Sequence, residues 1–186
     1  AGIGVLTRPL QKPHPPIAMA MMSPGGRTAE IIAERDCIPI SANMATAEIL
    51  AAQWQAYAGT RDRLNKPADR AVWRVCRSIL VTESEEQARD VMSDPEGTLP
   101  FYVRYLRVVR GLPEIHAFGE GKSRAELDAF LGVGQAFDDC VIVGTKETVL
   151  DRLVAIVDRT GPLGTLIMIG HDWDQSGLWP SSMERL

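Results

Sequence analysis

The sequence has 186 residues, a net charge of -4, 45% hydrophobic residues and 24% charged residues. This length and this balance are typical of a single domain that buries a core, so one domain over residues 1–186 is expected. The scattered basic residues and the lack of an apolar run of roughly 20 residues argue against nucleic-acid-binding and membrane-spanning proteins.

Apolar, strand-like runs alternate with helical patterns along the first half of the chain. The predicted elements there are a β-like Gly2–Leu6, a strand Ile17–Met22, a helix Arg27–Arg35, a strand Ile38–Ser41, a helix Ala45–Gly59, a strand Val72–Thr82 and a helix Glu85–Met92. Gly59 is expected just after the end of its helix, where glycine is common. Each apolar run is short enough to be a strand that is buried on both faces.

The pattern becomes irregular between Asp94 and Phe137, which predicts an insertion over residues 94–137 with helical pieces at Leu99–Arg110 and Ser123–Leu131. After it come a predicted strand Val141–Val143, a helix Thr145–Thr160, a strand Thr165–Ile169 and, at "SSMERL", the first turn of a helix. Strands that alternate with helices predict βαβ units, and hence an α/β fold with a parallel sheet. An open doubly wound sheet and a segment of a barrel both fit this pattern.

The stretch "MAMMSPGGRTAEIIAER" joins the end of a predicted strand to a helix through two glycines. Ser23 offers a hydroxyl, and Gly25 and Gly26 let backbone amides approach a ligand closely. The N-terminus of the following helix favours an anion, and Arg27 adds a positive charge. The stretch therefore predicts a phosphate site; the alternative is that Ser23 simply caps the helix.

Polar residues also follow other predicted strands, at the edge where parallel α/β folds collect their functional groups. Ser41 to Asn43 stand at the end of the strand Ile38–Ser41, and "GHDWD" follows the last strand. There, His171 and Asp172 suit proton transfer or hydrogen bonding, and Trp173 suits a wall beside an apolar ligand. The alternative is that the histidine and the aspartate only stabilise a loop. Trp54 and Tyr57, three residues apart on one helix, indicate core or interface packing rather than a cofactor site.

Four stretches resemble the bacterial luciferase-like flavin monooxygenases, especially their limonene-monooxygenase-like branch. In family order they are "RPLQKPHPPIAMAMMSPGG", "DRAVWRVCRSILVTESEEQARD", "VIVGTKETVLDRL" and "GTLIMIGHDW" with "SSMERL". The resemblance covers most of the chain outside Asp94–Phe137. Where the family usually has a histidine in the second of these stretches, this sequence has Leu80.

The resemblance implies a (β/α)8, TIM-type barrel that binds FMN at the carboxyl ends of its strands, with this chain as its C-terminal half, about strands five to eight. It implies cofactor contacts by Met22, Ser23, Gly25, Gly26, Arg27, Ser41 and Trp173, with His171 as the catalytic candidate. It implies that reduced flavin and O2 oxygenate a small apolar or carbonyl substrate, with a flavin reductase as partner. No metal is implied, and a deazaflavin is the alternative cofactor.

Half a barrel leaves two open strand edges, so a homo- or hetero-oligomer is expected. The chain is expected to be a fragment of a longer enzyme or a half that a partner chain completes. The rival interpretation is a non-catalytic flavin-binding or interaction subunit. Cys37, Cys76 and Cys140 lack metal-ligand spacing, which indicates a reduced, cytoplasmic protein.

Overall fold

A computed structural model of the protein describes residues 9–110, 121–130, 132, 134, 140–171 and 177–186. The predicted strand Gly2–Leu6 lies outside the described residues. So do Asp172 and Trp173, and the cofactor contact of Trp173 stays a prediction.

The described strands form one parallel sheet. They are β1 (Ala18–Met21), β2 (Ile38–Ser41), β3 (Arg74–Val81), β4 (Val141–Gly144) and β5 (Thr165–Ile169). β1 pairs with β2 and β2 with the start of β3, while β5 pairs with the first half of β3 and β4 with its second half. All the pairs are parallel, so the carboxyl ends of the strands lie at one edge, as predicted.

Helices connect the strands and flank the sheet. They are α1 (Arg27–Glu34), α2 (Ala47–Arg63), α3 (Glu85–Ser93), α4 (Thr98–Arg110), α5 (Arg124–Phe130), α6 (Lys146–Thr160) and α7 (Leu178–Arg185), with a 3-10 turn at Arg70–Val72. Thr46, Ser84 and Thr145 cap α2, α3 and α6, and each hydroxyl accepts a hydrogen bond from the backbone N–H three residues later. These caps fix where the three helices begin.

The predicted end of α2 at Gly59 is wrong, since the helix continues to Arg63. A glycine inside a helix costs about 1 kcal/mol relative to alanine. The next turn offsets this cost because Thr60 is buried and its hydroxyl donates to the carbonyl of Ala56 at 2.9 Å. The left-handed residue after the helix is instead Asn65, with φ 54°.

The core lies between the sheet and its helices. On one side Trp54 and Tyr57 of α2 pack against each other and Trp54 packs against Trp73, with ring centroids 5.4 and 5.2 Å apart, so the predicted packing role of this pair is confirmed. Near the carboxyl end of β3, Leu80 packs in one cluster with Leu99 of α4. Helix α4, from the predicted insertion, is thus part of the described core.

One face of the sheet is poorly covered by the described residues. Ala18 and Ala20 of β1 are exposed, and Ile38 and Ile40 of β2 are only half-buried, while the alternate positions are more buried. Parallel sheets are normally covered on both faces. The uneven burial therefore indicates that this face of β1 and β2 needs further residues packed against it. Among the described helices, none has the length and apolarity needed to cross a lipid bilayer.

Candidate functional site

The turn after β1 leads directly into helix α1 at the carboxyl edge of the sheet. Gly25 and Gly26 have φ of 67° and 113°, values that favour glycine over any residue with a Cβ. The N-cap of α1 is Gly26, and no side chain accepts a hydrogen bond from the helix start. The alternative that Ser23 caps this helix is therefore wrong. Because the first amides of a helix have no acceptor within it, they suit an anion.

A buried glutamine sets the path of the chain into this turn. Gln53 of α2 donates through Nε2 to the carbonyls of Met21 (3.2 Å) and Ser23 (3.1 Å). It is fully buried, so its amide serves these carbonyls rather than water. The side chains of Met22 and Ser23 are exposed. No local sequence pattern indicates this role of Gln53, since its partners lie about 30 residues earlier.

The side chain of Arg27 lies along its own helix. Its guanidinium donates to Glu30 at 3.1 Å and to Glu34 at 3.0 Å, and the side chain is 67% exposed. The hydrogen bonds that Arg27 donates to the carboxylates of Glu30 and Glu34 raise the pKa of Arg27. This contact favours a surface ion pair over the predicted phosphate contact of Arg27.

Ser41 is placed differently from the turn residues. It is fully buried, and its hydroxyl accepts a hydrogen bond from the indole Nε1 of Trp73 at 2.9 Å. This contact favours a packing role for Ser41 over the predicted cofactor contact. The strand end that follows it contributes Asn43 instead.

His171 follows β5 and lies in a buried aromatic and polar cluster. Its side chain is 1% exposed, with ring centroids 4.3 Å from Tyr102 and 5.2 Å from Trp179. Its Nε2 lies 2.8 Å from the hydroxyl of Ser78. Burial lowers the pKa of His171 to about 4, so the imidazole is neutral at neutral pH.

Asn43 and Ser78 complete this cluster. The amide Nδ2 of Asn43 lies 2.7 Å from Ser78 Oγ, and its Oδ1 lies 3.2 Å from the backbone nitrogen of Ser78. Both residues are buried. Ser78 lies inside an apolar run, and only its polar character within a buried strand signalled it in the sequence.

An apolar cavity of about 280 Å³ lies beside the cluster, near the carboxyl end of β3. Leu80, Leu99 and Trp179 are among the residues that line it, and Trp179 also contacts His171. Asp90 and Asp94 line it as well. This arrangement suits a small apolar molecule.

The glycine turn and His171 lie at the same edge of the sheet but not in contact. In the strand order β1, β2, β3, β5 they are three strand spacings apart, about 14 Å along the sheet. A ligand that carries an anionic group at one end and a ring at the other spans such an arrangement.

The parallel sheet with flanking helices matches monooxygenases of the TIM-barrel type. The oxygenating constituent of 3,6-diketocamphane monooxygenase from Pseudomonas putida, a type II Baeyer-Villiger enzyme solved in complex with FMN, has a TM-score of 0.70, 23% identity, and coverage of 92% of this chain and 46% of its own. The monooxygenase RslO1 from Streptomyces bottropensis has a TM-score of 0.59, 15% identity, and coverage of 97% and 48%.

Sequence relatives point to the same class. The 4-hydroxyprotoasukamycin monooxygenase of Streptomyces nodosus subsp. asukaensis is 32% identical over 125 residues, 67% of this chain and 31% of that protein. The 3,6-diketocamphane 1,6-monooxygenase of Pseudomonas putida is 26% identical over 175 residues, 91% of this chain and 44% of that protein. No protein-family model matches the sequence.

The chain is thus a homologue of luciferase-like flavin-dependent monooxygenases, and the resemblance inferred from its sequence is confirmed at this level. It spans less than half the length of the curated relatives it matches. Its place in the limonene-monooxygenase-like branch stays a prediction.

Proposed function

We propose that the chain is the cofactor-binding half of an FMN-dependent monooxygenase. The observation that best supports this proposal is the turn after β1. There, two glycines at positive φ lead into a helix whose first amides have no side-chain cap. In this arrangement the exposed hydroxyl of Ser23 and the first amides of α1 hold the phosphate of FMN. A deazaflavin with a phosphate at the same position fits this turn equally well.

The chemistry of the proposed reaction belongs to reduced flavin, which activates O2 to oxygenate the substrate. The residues of this chain bind the phosphate, orient the ring and exclude water. His171 and Trp173 would border the ring of the bound flavin, and a flavin reductase would supply the reduced cofactor. The apolar cavity beside Trp179 favours a small apolar or carbonyl substrate.

The test is a pair of titrations, with FMN and with riboflavin, which has no phosphate. Each charge-assisted hydrogen bond contributes roughly 1.5–3 kcal/mol, so Ser23→Ala is expected to weaken FMN binding about tenfold or more and riboflavin binding far less. Gly25→Val is expected to weaken FMN binding further, because a β-branched residue at this positive φ strains the turn.

Ser84→Ala is the matched control, because Ser84 caps helix α3. Its hydroxyl oxygen accepts a hydrogen bond from the backbone nitrogen of Gln87 at 3.1 Å. It is expected to lower stability and leave FMN affinity unchanged. Equal weakening of both flavins by Ser23→Ala contradicts the phosphate site, and an unchanged FMN affinity places the phosphate elsewhere.

The poorly covered sheet face supports a further proposal, that the chain is the C-terminal half of a (β/α)8 barrel completed by another segment or chain. The same face favours the second candidate function, a non-catalytic flavin-binding or interaction subunit. Flavin absorbance of the purified protein separates a flavin binder from a purely structural partner. Substrate oxygenation with a flavin reductase and O2 then separates an enzyme from a carrier.

We expect the purified chain to sediment at micromolar concentration as a dimer or a larger species. The reason is that the apolar positions of β1 and β2 on this face remain in contact with water in a lone copy. A monomer that melts cooperatively contradicts this expectation.

A further inference from the structure

The hydrogen bonds around His171 define which of its nitrogens carries the proton. The backbone nitrogen of Ser78 can only donate, so the atom of Asn43 that faces it at 3.2 Å is the acceptor Oδ1. The other end of the amide, Nδ2, is then the donor that lies 2.7 Å from Ser78 Oγ. The orientation of Asn43 is thus fixed by a backbone group.

The hydroxyl of Ser78 receives this hydrogen bond and still has one hydrogen to donate. His171 Nε2 lies 2.8 Å from the same oxygen. If Nε2 carried a hydrogen, Ser78 Oγ would accept twice, and its own hydrogen would be left without an acceptor in a fully buried site. The arrangement that satisfies the hydroxyl of Ser78 has it donating to an unprotonated Nε2, which places the imidazole proton on Nδ1.

The two aromatic neighbours of His171 restrict the ring itself. Tyr102 lies at 4.3 Å with a tilt of 49°, and Trp179 meets the imidazole edge-on at 5.2 Å. The ring therefore cannot turn over without displacing one of these side chains. Helices α4 and α7 supply the two walls, while β3 and the strand end after β2 supply the hydrogen bonds.

We propose that Asn43 and Ser78 are positioning residues that hold His171 as its Nδ1–H tautomer, in one fixed orientation beside the cofactor. The functional part of this inference rests on the proposed flavin site. It gives His171 the role of a hydrogen-bond donor through Nδ1, because Nε2 is committed to Ser78.

The experiment is a long-range 1H–15N spectrum of the imidazole nitrogens in uniformly labelled, ligand-free protein. The chain has three histidines, and the signals lost in His171→Gln assign those of His171. The expected wild-type spectrum shows a protonated Nδ1 and an unprotonated Nε2. A wild-type His171 with its proton on Nε2 overturns the proposal.

Two variants test the individual partners. Ser78→Ala is expected to shift the tautomer toward Nε2–H, and Ser78→Thr, which keeps the hydroxyl, to restore the wild-type spectrum. Asn43→Asp, measured at pH 8, places a carboxylate that accepts from both the amide and the hydroxyl of Ser78, so Nε2 of His171 is expected to become the donor. An unchanged Nδ1–H tautomer in both Ser78→Ala and Asn43→Asp overturns the positioning role.

Far-UV circular dichroism of each variant checks that the fold is retained. Because the spectra need no flavin, their outcome is independent of the FMN titrations. If FMN does not bind but the tautomers are as expected, the proposed function is overturned, while the positioning of His171 by Asn43 and Ser78 stands. If FMN binds but wild-type His171 carries its proton on Nε2, only the positioning role of Asn43 and Ser78 is overturned.

Discussion

The free energy of unfolding is expected to fall by about 3 kcal/mol between pH 7 and pH 4 through His171 alone. Burial lowers the pKa of this imidazole to about 4 in the folded protein, whereas an unfolded histidine titrates near pH 6.5. Between these two values the unfolded chain binds a proton that the folded chain does not. Lowering the pH through this window therefore favours unfolding, and the loss ends below about pH 4.

The measurement is urea denaturation at several pH values, in wild type and in His171→Gln. The carboxyl groups of the chain titrate in both proteins, so the difference between the two profiles isolates the imidazole. His14→Gln is the control, because His14 is exposed. A profile of His171→Gln that runs parallel to the wild type contradicts the prediction.

Trp73→Ala is expected to lower the free energy of unfolding by about 3–5 kcal/mol. Trp73 is completely buried, and its ring lies 5.2 Å from that of Trp54. Its removal leaves a large cavity. It also removes the indole N–H that donates a hydrogen bond to the buried hydroxyl of Ser41. Thermal and urea unfolding followed by circular dichroism measure the loss.

Trp73→Phe separates the two contributions, since it keeps a ring and removes the indole N–H. It is expected to cost about 1–3 kcal/mol, the range for a buried polar group left without its partner. Leu150→Ala is the surface control, because Leu150 is 59% exposed. A Trp73→Ala variant that is no less stable than Leu150→Ala contradicts the packing role.

Local patterns predicted most of the elements because each buried strand and each amphipathic helix carries its own signal. The strands Ile38–Ser41 and Thr165–Ile169 have the predicted bounds. Gly59 misled the prediction because the packing of the following turn, which a local pattern does not contain, extends α2. In α1, the N-cap is Gly26, after the two-glycine turn, and not Ser23, the alternative that the sequence left open.

From the sequence, candidate site residues could be predicted only at the carboxyl ends of strands. The glycine turn and His171 were identified in this way, whereas the partners that orient them come from distant parts of the chain. Gln53 reaches back across 30 residues to the turn, and Ser78 joins His171 across 93 residues. Arg27 carries a charge suited to phosphate, but the acids on its own helix face are nearer.

The hydrogen bonds of the His171 cluster close chain loops of different lengths, and this predicts an order in which they form. Asn43 and Ser78 are 35 residues apart, whereas Ser78 and His171 are 93 apart. Closing the longer loop costs about 0.9 kcal/mol more in chain entropy. We therefore expect the Asn43–Ser78 hydrogen bond to form more readily during folding than the Ser78–His171 hydrogen bond.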